Sequence, residues 1–229
     1  MKNTTFITFL TIGLFLSAFS FRKELFVENR SFHKVNESYN YTLDINYPKV
    51  YNFEENIDYA INLSVQAIMV DAISDFQKKA ARIQPPTEDI EEANSLNFNY
   101  EILAQENNIF SVKFIKKTKY INSNGSYELV RTFNYNLDKG HRITLKKIFL
   151  PDDFEAELME IVNKKIRGGK LNSTAFLKDF TLTKEYLLFH LHNVNGIPSH
   201  RQKETIQVSW AEIKTLINQD ELEGLISLK

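Results

Sequence analysis

No cysteine occurs among the 229 residues. Disulfides, thiol nucleophiles, cysteine-ligated metals and a lipid on a lipobox cysteine are excluded, and whatever fold forms must be held by its core alone. Glycine (7) and proline (5) are scarce, which argues against a loop-rich or repetitive architecture. An excess of one charge is missing as well: 28 basic residues face 29 acidic ones, a formal net charge of −1. Such a chain has no long-range field to gather nucleic acid or anionic lipid, so nucleic acid is not an expected partner. Long apolar runs are missing from all but one place.

What is present is a globular balance, 43% hydrophobic and 25% charged, with 18 Phe and 10 Tyr. Aromatics in this number favour strands and helices around a real core over disorder. The single long apolar run extends over 6–19, behind Lys2 and ahead of Arg22 and Lys23, with small residues at Ala18 and Ser20. This pattern predicts a secretory signal peptide over 1–20. An uncleaved anchor is the competing reading, but the run is short of the roughly 20 apolar residues that cross a bilayer. The expectation is therefore an exported protein, periplasmic or at the cell surface or secreted, with no membrane contact after signal cleavage. N-x-S/T triplets begin at Asn29, Asn36, Asn40, Asn62, Asn124 and Asn172; in a chain so rich in Asn, chance accounts for much of that count.

Residues 21–38 read as a polar leader. Alternating Tyr41, Leu43, Ile45 and Tyr47 then predict a half-buried strand ended by Pro48. A long helix follows, with Asn52 as its cap, Glu55 reaching back, and Ile57, Ile61, Val65, Ile68, Ala72 and Phe76 drawing one apolar stripe. Pro85-Pro86 cannot continue it. The acidic, turn-prone segment 87–95 reads as a surface connection. Next come three strands, over 96–103, 109–120 and 127–137, whose Asn107-Asn108 and Asn124-Gly125 turns suit an antiparallel meander.

Asp138-Lys139-Gly140 turns the chain, and Pro151-Asp152-Asp153 prepares a helix with Leu158, Ile161, Val162 and Ile166 on its buried face and Gly168-Gly169 as its stop. A strand pair is expected over 186–191 and 205–208, joined through Asn195-Gly196. Ser209-Trp210-Ala211-Glu212 matches a capping box, which predicts a last helix through Ile213, Leu216 and Ile217. The organisation expected is thus 39–150 as an N-terminal half (strand, long helix, meander) and 151–229 as a C-terminal half (helix, strand pair, helix). The fold class is α+β: an antiparallel meander packed by a long helix, then a second small β/α unit with two helices, the halves sharing one core.

Several stretches carry a family resemblance: Tyr47-Pro48-Lys49-Val50 leading into the long helix, Ser111-Val112-Lys113-Phe114, and the strand Arg131-Thr132-Phe133-Asn134-Tyr135-Asn136-Leu137. Residues 140–149 with the Leu158 helix continue it. Phe180-Thr181-Leu182-Thr183 with the late strand pair adds a weaker stretch. In these the chain resembles an extracytoplasmic family of unknown function, found as the ectodomain of RsiV-type anti-sigma factors, which sense lysozyme, and as the non-catalytic N-terminal part of PdaC-type peptidoglycan deacetylases. The resemblance covers 44–217. It implies an envelope-located binding or sensing domain with no catalytic residues to carry over, and its ligand would be a protein, such as a lysozyme-like one, or cell-wall glycan. Two departures stand out: Ser123-Asn124-Gly125-Ser126 replaces a Gly-Gly-Ala-His-like turn, and His190-Leu191-His192-Asn193 replaces an aromatic-proline segment. Too few residues precede the apolar run for a sigma-binding segment, so the likeness is to the outer half of those factors.

Candidate chemistry is sparse. His190 and His192 lie two apart on a predicted strand, on one face, with His200 across the loop, a spacing that some zinc sites use. Without cysteine or an H-E-x-x-H helix, a polar sheet face is the blander account. His33 and His141 read as solvent-exposed. No G-x-S-x-G elbow exists, and the pairs Glu54-Glu55, Glu91-Glu92 and Asp152-Asp153 sit where helix starts or linkers use charge. Lys113, Lys116, Lys117 and Lys119, with Tyr120 and Arg131, form the most basic patch. Of these, Lys113, Lys117, Lys119, Tyr120 and Arg131 are the candidate ligand-binding residues, able to stack on sugars or meet an acidic partner. An edge strand protected by lysine is the competing account. Trp210 reads as a core residue. The expectation is a non-enzymatic binding domain without a cofactor; the alternative is a metal-dependent envelope hydrolase using His190 and His192.

Overall fold

The structure, a computed structural model, describes residues 24–83, 93–106, 108–121, 123, 125–150, 153–166, 170–192, 203–223 and 225–226. The expected signal peptide, Pro85-Pro86, most of the 87–95 connection, Gly168-Gly169, the Asn195-Gly196 loop and His200 lie outside the described residues.

Six strands form the first sheet: β1 (Phe26–Asn36), β2 (Tyr41–Tyr51), β3 (Asn94–Glu106), β4 (Ile109–Lys119), β5 (Ser126–Asn136) and β6 (His141–Arg142). They stand in chain order, and every neighbouring pair is antiparallel except β2 and β3, which run parallel across the crossover helix α1 (Glu55–Ala80). The meander expected from the alternating aromatics is therefore β3-β4-β5. Asn108 takes a positive φ of 63° in the β3–β4 turn, and Gly140 one of 64° between β5 and β6, backbone that Asn and Gly adopt with little strain.

Helix α1 buries the expected stripe: Ile57, Ile61, Val65, Ala72 and Phe76 are buried, and Ile68 packs partly buried beside them. Across from it lie Leu43 and Ile45 of β2, Leu96 and Phe98 of β3, Phe110, Val112 and Phe114 of β4, and Phe133 and Tyr135 of β5. Cross-strand register places these residues on one face, and rings stack at Phe98–Phe114 (5.6 Å) and Phe76–Tyr120 (5.7 Å). A bulge between Ile102 and Ala104 reverses the alternation of β3. Ala104 consequently points to the other side, where Ile109, alternating with Phe110 in β4, joins it in a second core.

That second core belongs to α2 (Leu145–Ile148), α3 (Phe154–Lys165), a 3-10 turn (Thr174–Leu177) and the antiparallel sheet β7 (Phe180–Leu182), β8 (Tyr186–His192) and β9 (Lys203–Ser209). Phe154, Leu158, Val162 and Ile166 face it, with Ile161 partly buried. Trp210 is buried and its indole N–H donates to the Thr183 carbonyl (2.9 Å).

Five expectations change. The leader contains β1, an edge strand exposed on both faces from Asn29 to Val35, so it shows none of the in-out alternation that marks a half-buried strand. Pro48 does not end β2, which continues to Tyr51; beyond Ile45 the β3 side of β2 is unpaired, and a residue without an N–H is tolerated there. Asn52 is not the cap of α1. It turns the chain at φ 66°, Glu54 occupies the cap position without a side-chain capping bond to the helix, and Asp58 accepts the Phe53 N–H (3.3 Å).

The last helix is absent over 210–217. Glu212 reaches back to the Ser209 N–H (2.8 Å) as a capping box requires, yet only turns follow. The carbonyl of Leu216 is taken by the Leu150 N–H (2.9 Å), the Asn218 N–H donates to Ile148 (2.7 Å), and Ile217 bridges Phe149, so the backbone groups that would propagate a helix are spent on another segment. Finally, the apolar residues form two clusters instead of one, because the back of β5 meets the second unit through polar side chains.

Candidate functional site

Strand β5 has two buried faces of opposite chemistry. Phe133 and Tyr135 enter the core beneath α1, whereas Thr132, Asn134 and Asn136 are buried against the second unit. Each of these polar groups is matched. Asn134 Nδ2 donates to the Phe180 carbonyl (2.8 Å), and Ser111 Oγ donates to Asn134 Oδ1 (2.6 Å). The Phe180 N–H donates to Thr132 Oγ1 (2.9 Å) and the Thr132 N–H to Asp179 Oδ1 (3.2 Å). Arg131 closes the other carboxylate oxygen of Asp179 at 2.8 Å, and the Asp179 carbonyl accepts the His190 N–H (2.8 Å). Further along, Asn136 Nδ2 donates to the Glu221 carbonyl (3.0 Å), while the buried Glu221 carboxylate is held by His141 (2.8 Å) and Lys139 (3.4 Å). Burying so many polar groups is tolerable only because each finds a partner.

Beside this seam, where β6 covers only the end of β5, a cleft of about 540 Å³ opens. That volume is within the range of small-molecule sites. Ile143, Leu145, Phe154 and Phe180 supply apolar lining, and Thr144, Ser173 and Thr174 supply hydroxyls. Arg142, Lys146 and Lys178 stand against one acid, Glu155, and all four are exposed. Among the described residues neither Lys146 nor Lys178 has an ion-pair partner, and Arg142 lies over the Phe133 ring at 5.8 Å. The cleft therefore combines aromatic surface, hydroxyls and uncompensated positive charge, an arrangement suited to holding a partly apolar, carboxylate-bearing ligand.

The basic patch expected from the sequence is divided by the pleat. Lys113, Lys117 and Lys119 point away from α1, with Lys113 paired to Glu101 (2.5 Å) and Lys117 to Glu128 (3.8 Å). Arg131 lies on the α1 face, opposite Phe114, and reaches Asp179. Tyr120 stacks on Phe76 beneath the helix, where burial raises its phenol pKa. Since β4 is central in the sheet, edge protection does not explain its lysines either. Lys116, on the α1 face, is only 12% exposed and stands 3.9 Å from Asp75; burial pushes its ammonium pKa down, against the upward pull of Asp75.

His190 is buried on β8 with Nε2 3.3 Å from Thr181 Oγ1, and the side chain of His192 is not described. Among the described residues no group of three His, Asp or Glu is placed to hold a metal ion. His33 is exposed as expected but pairs with Asp44 (2.6 Å), and His141 is half-buried on Glu221. The cleft residues Arg142, Lys146 and Lys178 were outside the sequence expectation. The only signal near them is the row of amides at Asn134 and Asn136, a residue type that strands disfavour.

The fold and this cleft define an α+β domain of two packed units. No protein-family model matches the sequence, and no curated protein matches it. Similar solved structures include a DUF3298 family member from Bacteroides fragilis, 11% identical with a TM-score of 0.62 over 88% of this chain and 98% of that one, and a DUF3298 family protein from Pseudomonas aeruginosa, 10% identical with a TM-score of 0.61 over 89% and 99%. At such identities the likeness is one of fold, to proteins of a family whose function is unknown.

Proposed function

We propose that this chain is a non-catalytic binding domain that acts outside the cytoplasm, with a cell-wall glycan or an extracytoplasmic protein as its ligand. The kinship with RsiV-type ectodomains and with the N-terminal part of PdaC-type deacetylases is part of the proposal. The observation that carries it is the cleft beside β5, which Phe154 and Phe180 line together with Lys146 and Lys178. Supporting it, the titratable groups of the seam are committed to structure: Asp179 to Arg131 and Thr132, Glu221 to His141 and Lys139. Between the two ligand classes, the basic rim favours glycan bearing acidic peptide stems over a basic lytic enzyme such as lysozyme.

Calorimetric titration of the purified protein with soluble peptidoglycan fragments, and separately with lysozyme, tests the reading. Saturable heat with one of them and unchanged fragments afterwards is the expected result. No heat with either, or hydrolysed fragments, would overturn it.

A further inference from the structure

Strand β1 leaves an open edge. It is the first strand of the sheet, pairs along all eleven of its residues with β2, and has no described partner on its other side. Natural edge strands are usually blunted by a bulge, a proline, short length or a row of lysines, because unpaired N–H and C=O groups invite another strand. Here the register with β2 is unbroken, the strand has no proline, and Lys34 is its one lysine. Phe26, Phe32 and Val35 are 47%, 39% and 56% exposed on it.

We propose that this edge pairs with the same edge of a second copy, antiparallel about a two-fold axis at Ser31, joining the two sheets into one. A two-fold perpendicular to the sheet keeps every side chain on its own face, so even-numbered residues meet even and odd meet odd. Centring on Ser31 uses the strand from end to end and sets Glu28 opposite the second copy's Lys34, Arg30 opposite its Phe32, and Val27 opposite its Val35. Glu28 and Lys34 are thus opposite charges, Arg30 and Phe32 a cation beside a ring, and Val27 and Val35 two β-branched chains, pairings that stabilise antiparallel ladders, while Phe26 meets Asn36, Asn29 meets His33 and Ser31 meets itself. The neighbouring registers fail on charge: centring on Arg30 faces it with itself, and centring on Phe32 faces Arg30 with Lys34. Within one copy the Glu28 carboxylate pairs with Arg30 (2.8 Å), and Lys34 has no ion-pair partner among the described residues.

Sedimentation equilibrium of the purified protein, wild type beside Glu28→Lys, Lys34→Glu and the double exchange, tests this. Wild type is expected to dimerise, each single reversal to weaken dimerisation at least ten-fold by facing like charges, and the double exchange to recover most of the loss. These exposed positions leave both cores untouched, and circular dichroism verifies that each variant is folded. A monomeric wild type, single variants that dimerise as tightly as wild type, or a double exchange no tighter than the singles would each overturn the proposal. So would a wild-type edge taken up by an added extended peptide in preference to its own copy.

Discussion

The two faces of β5 hold the molecule together by different means. Under α1, rings and aliphatic side chains fill a space, and burial of apolar area is non-directional: what counts is volume and shape. Behind β5, the second unit is fixed by hydrogen bonds whose angles and partners are specific, from Asp179 and Phe180 on one side to Thr132 and Asn134 on the other, with Arg131 reaching Asp179 from the α1 face. Apolar packing supplies stability, and the polar seam supplies position. Position matters here because the cleft takes its lining from both sides of that seam.

Truncation at the centre of the apolar core gives the largest effect. Phe76→Ala empties a site touched by Tyr41, Tyr120 and the sheet and is expected to cost about 3–5 kcal/mol by chemical denaturation, whereas Phe76→Leu costs about 1 kcal/mol. The seam reverses this tolerance. Asn134→Leu nearly preserves volume but orphans the Ser111 hydroxyl and the Phe180 carbonyl, and a loss of about 2–3 kcal/mol is expected. If Asn134→Leu proved as mild as Phe76→Leu, the contrast between the two faces would be broken.

A smaller effect sharpens the comparison at Lys116, a largely buried cation on the α1 face. Because the folded pKa of Lys116 is lowered, the folded state loses that proton before the unfolded chain does, and stability rises with pH in the interval below 10.5. Tyr100, Tyr120 and Tyr135 act oppositely: their raised pKa values make stability fall above pH 10.0, where the unfolded chain ionises first. Lys116→Met is expected to add about 1 kcal/mol at neutral pH and to leave only the alkaline decline in a pH series of denaturation midpoints.

The apolar face was legible in the sequence because its periodicities are local. Ile57 to Phe76 repeat at helical spacing, and Phe110, Val112 and Phe114 alternate. The seam was not legible, since Thr132, Asn134 and Asn136 alternate with aromatics just as a solvent-facing row would, and only the distant arrival of Asp179 and Phe180 makes them internal. The same blindness hid β1, whose two exposed faces show no pattern, and produced a final helix from a capping box whose downstream backbone is claimed by Phe149 and Leu150. The division of the basic patch has a simpler reason: Lys116 and Lys117 are neighbours in sequence and on opposite sides of a sheet.

The most direct test of the binding reading is a calorimetric titration of soluble peptidoglycan fragments into wild type and into Lys146→Glu/Lys178→Glu, two exposed lysines whose reversal leaves the seam intact. The account predicts saturable heat for wild type and an affinity at least ten-fold lower for the variant. Equal affinity in the two proteins would contradict the cleft as the place where binding occurs.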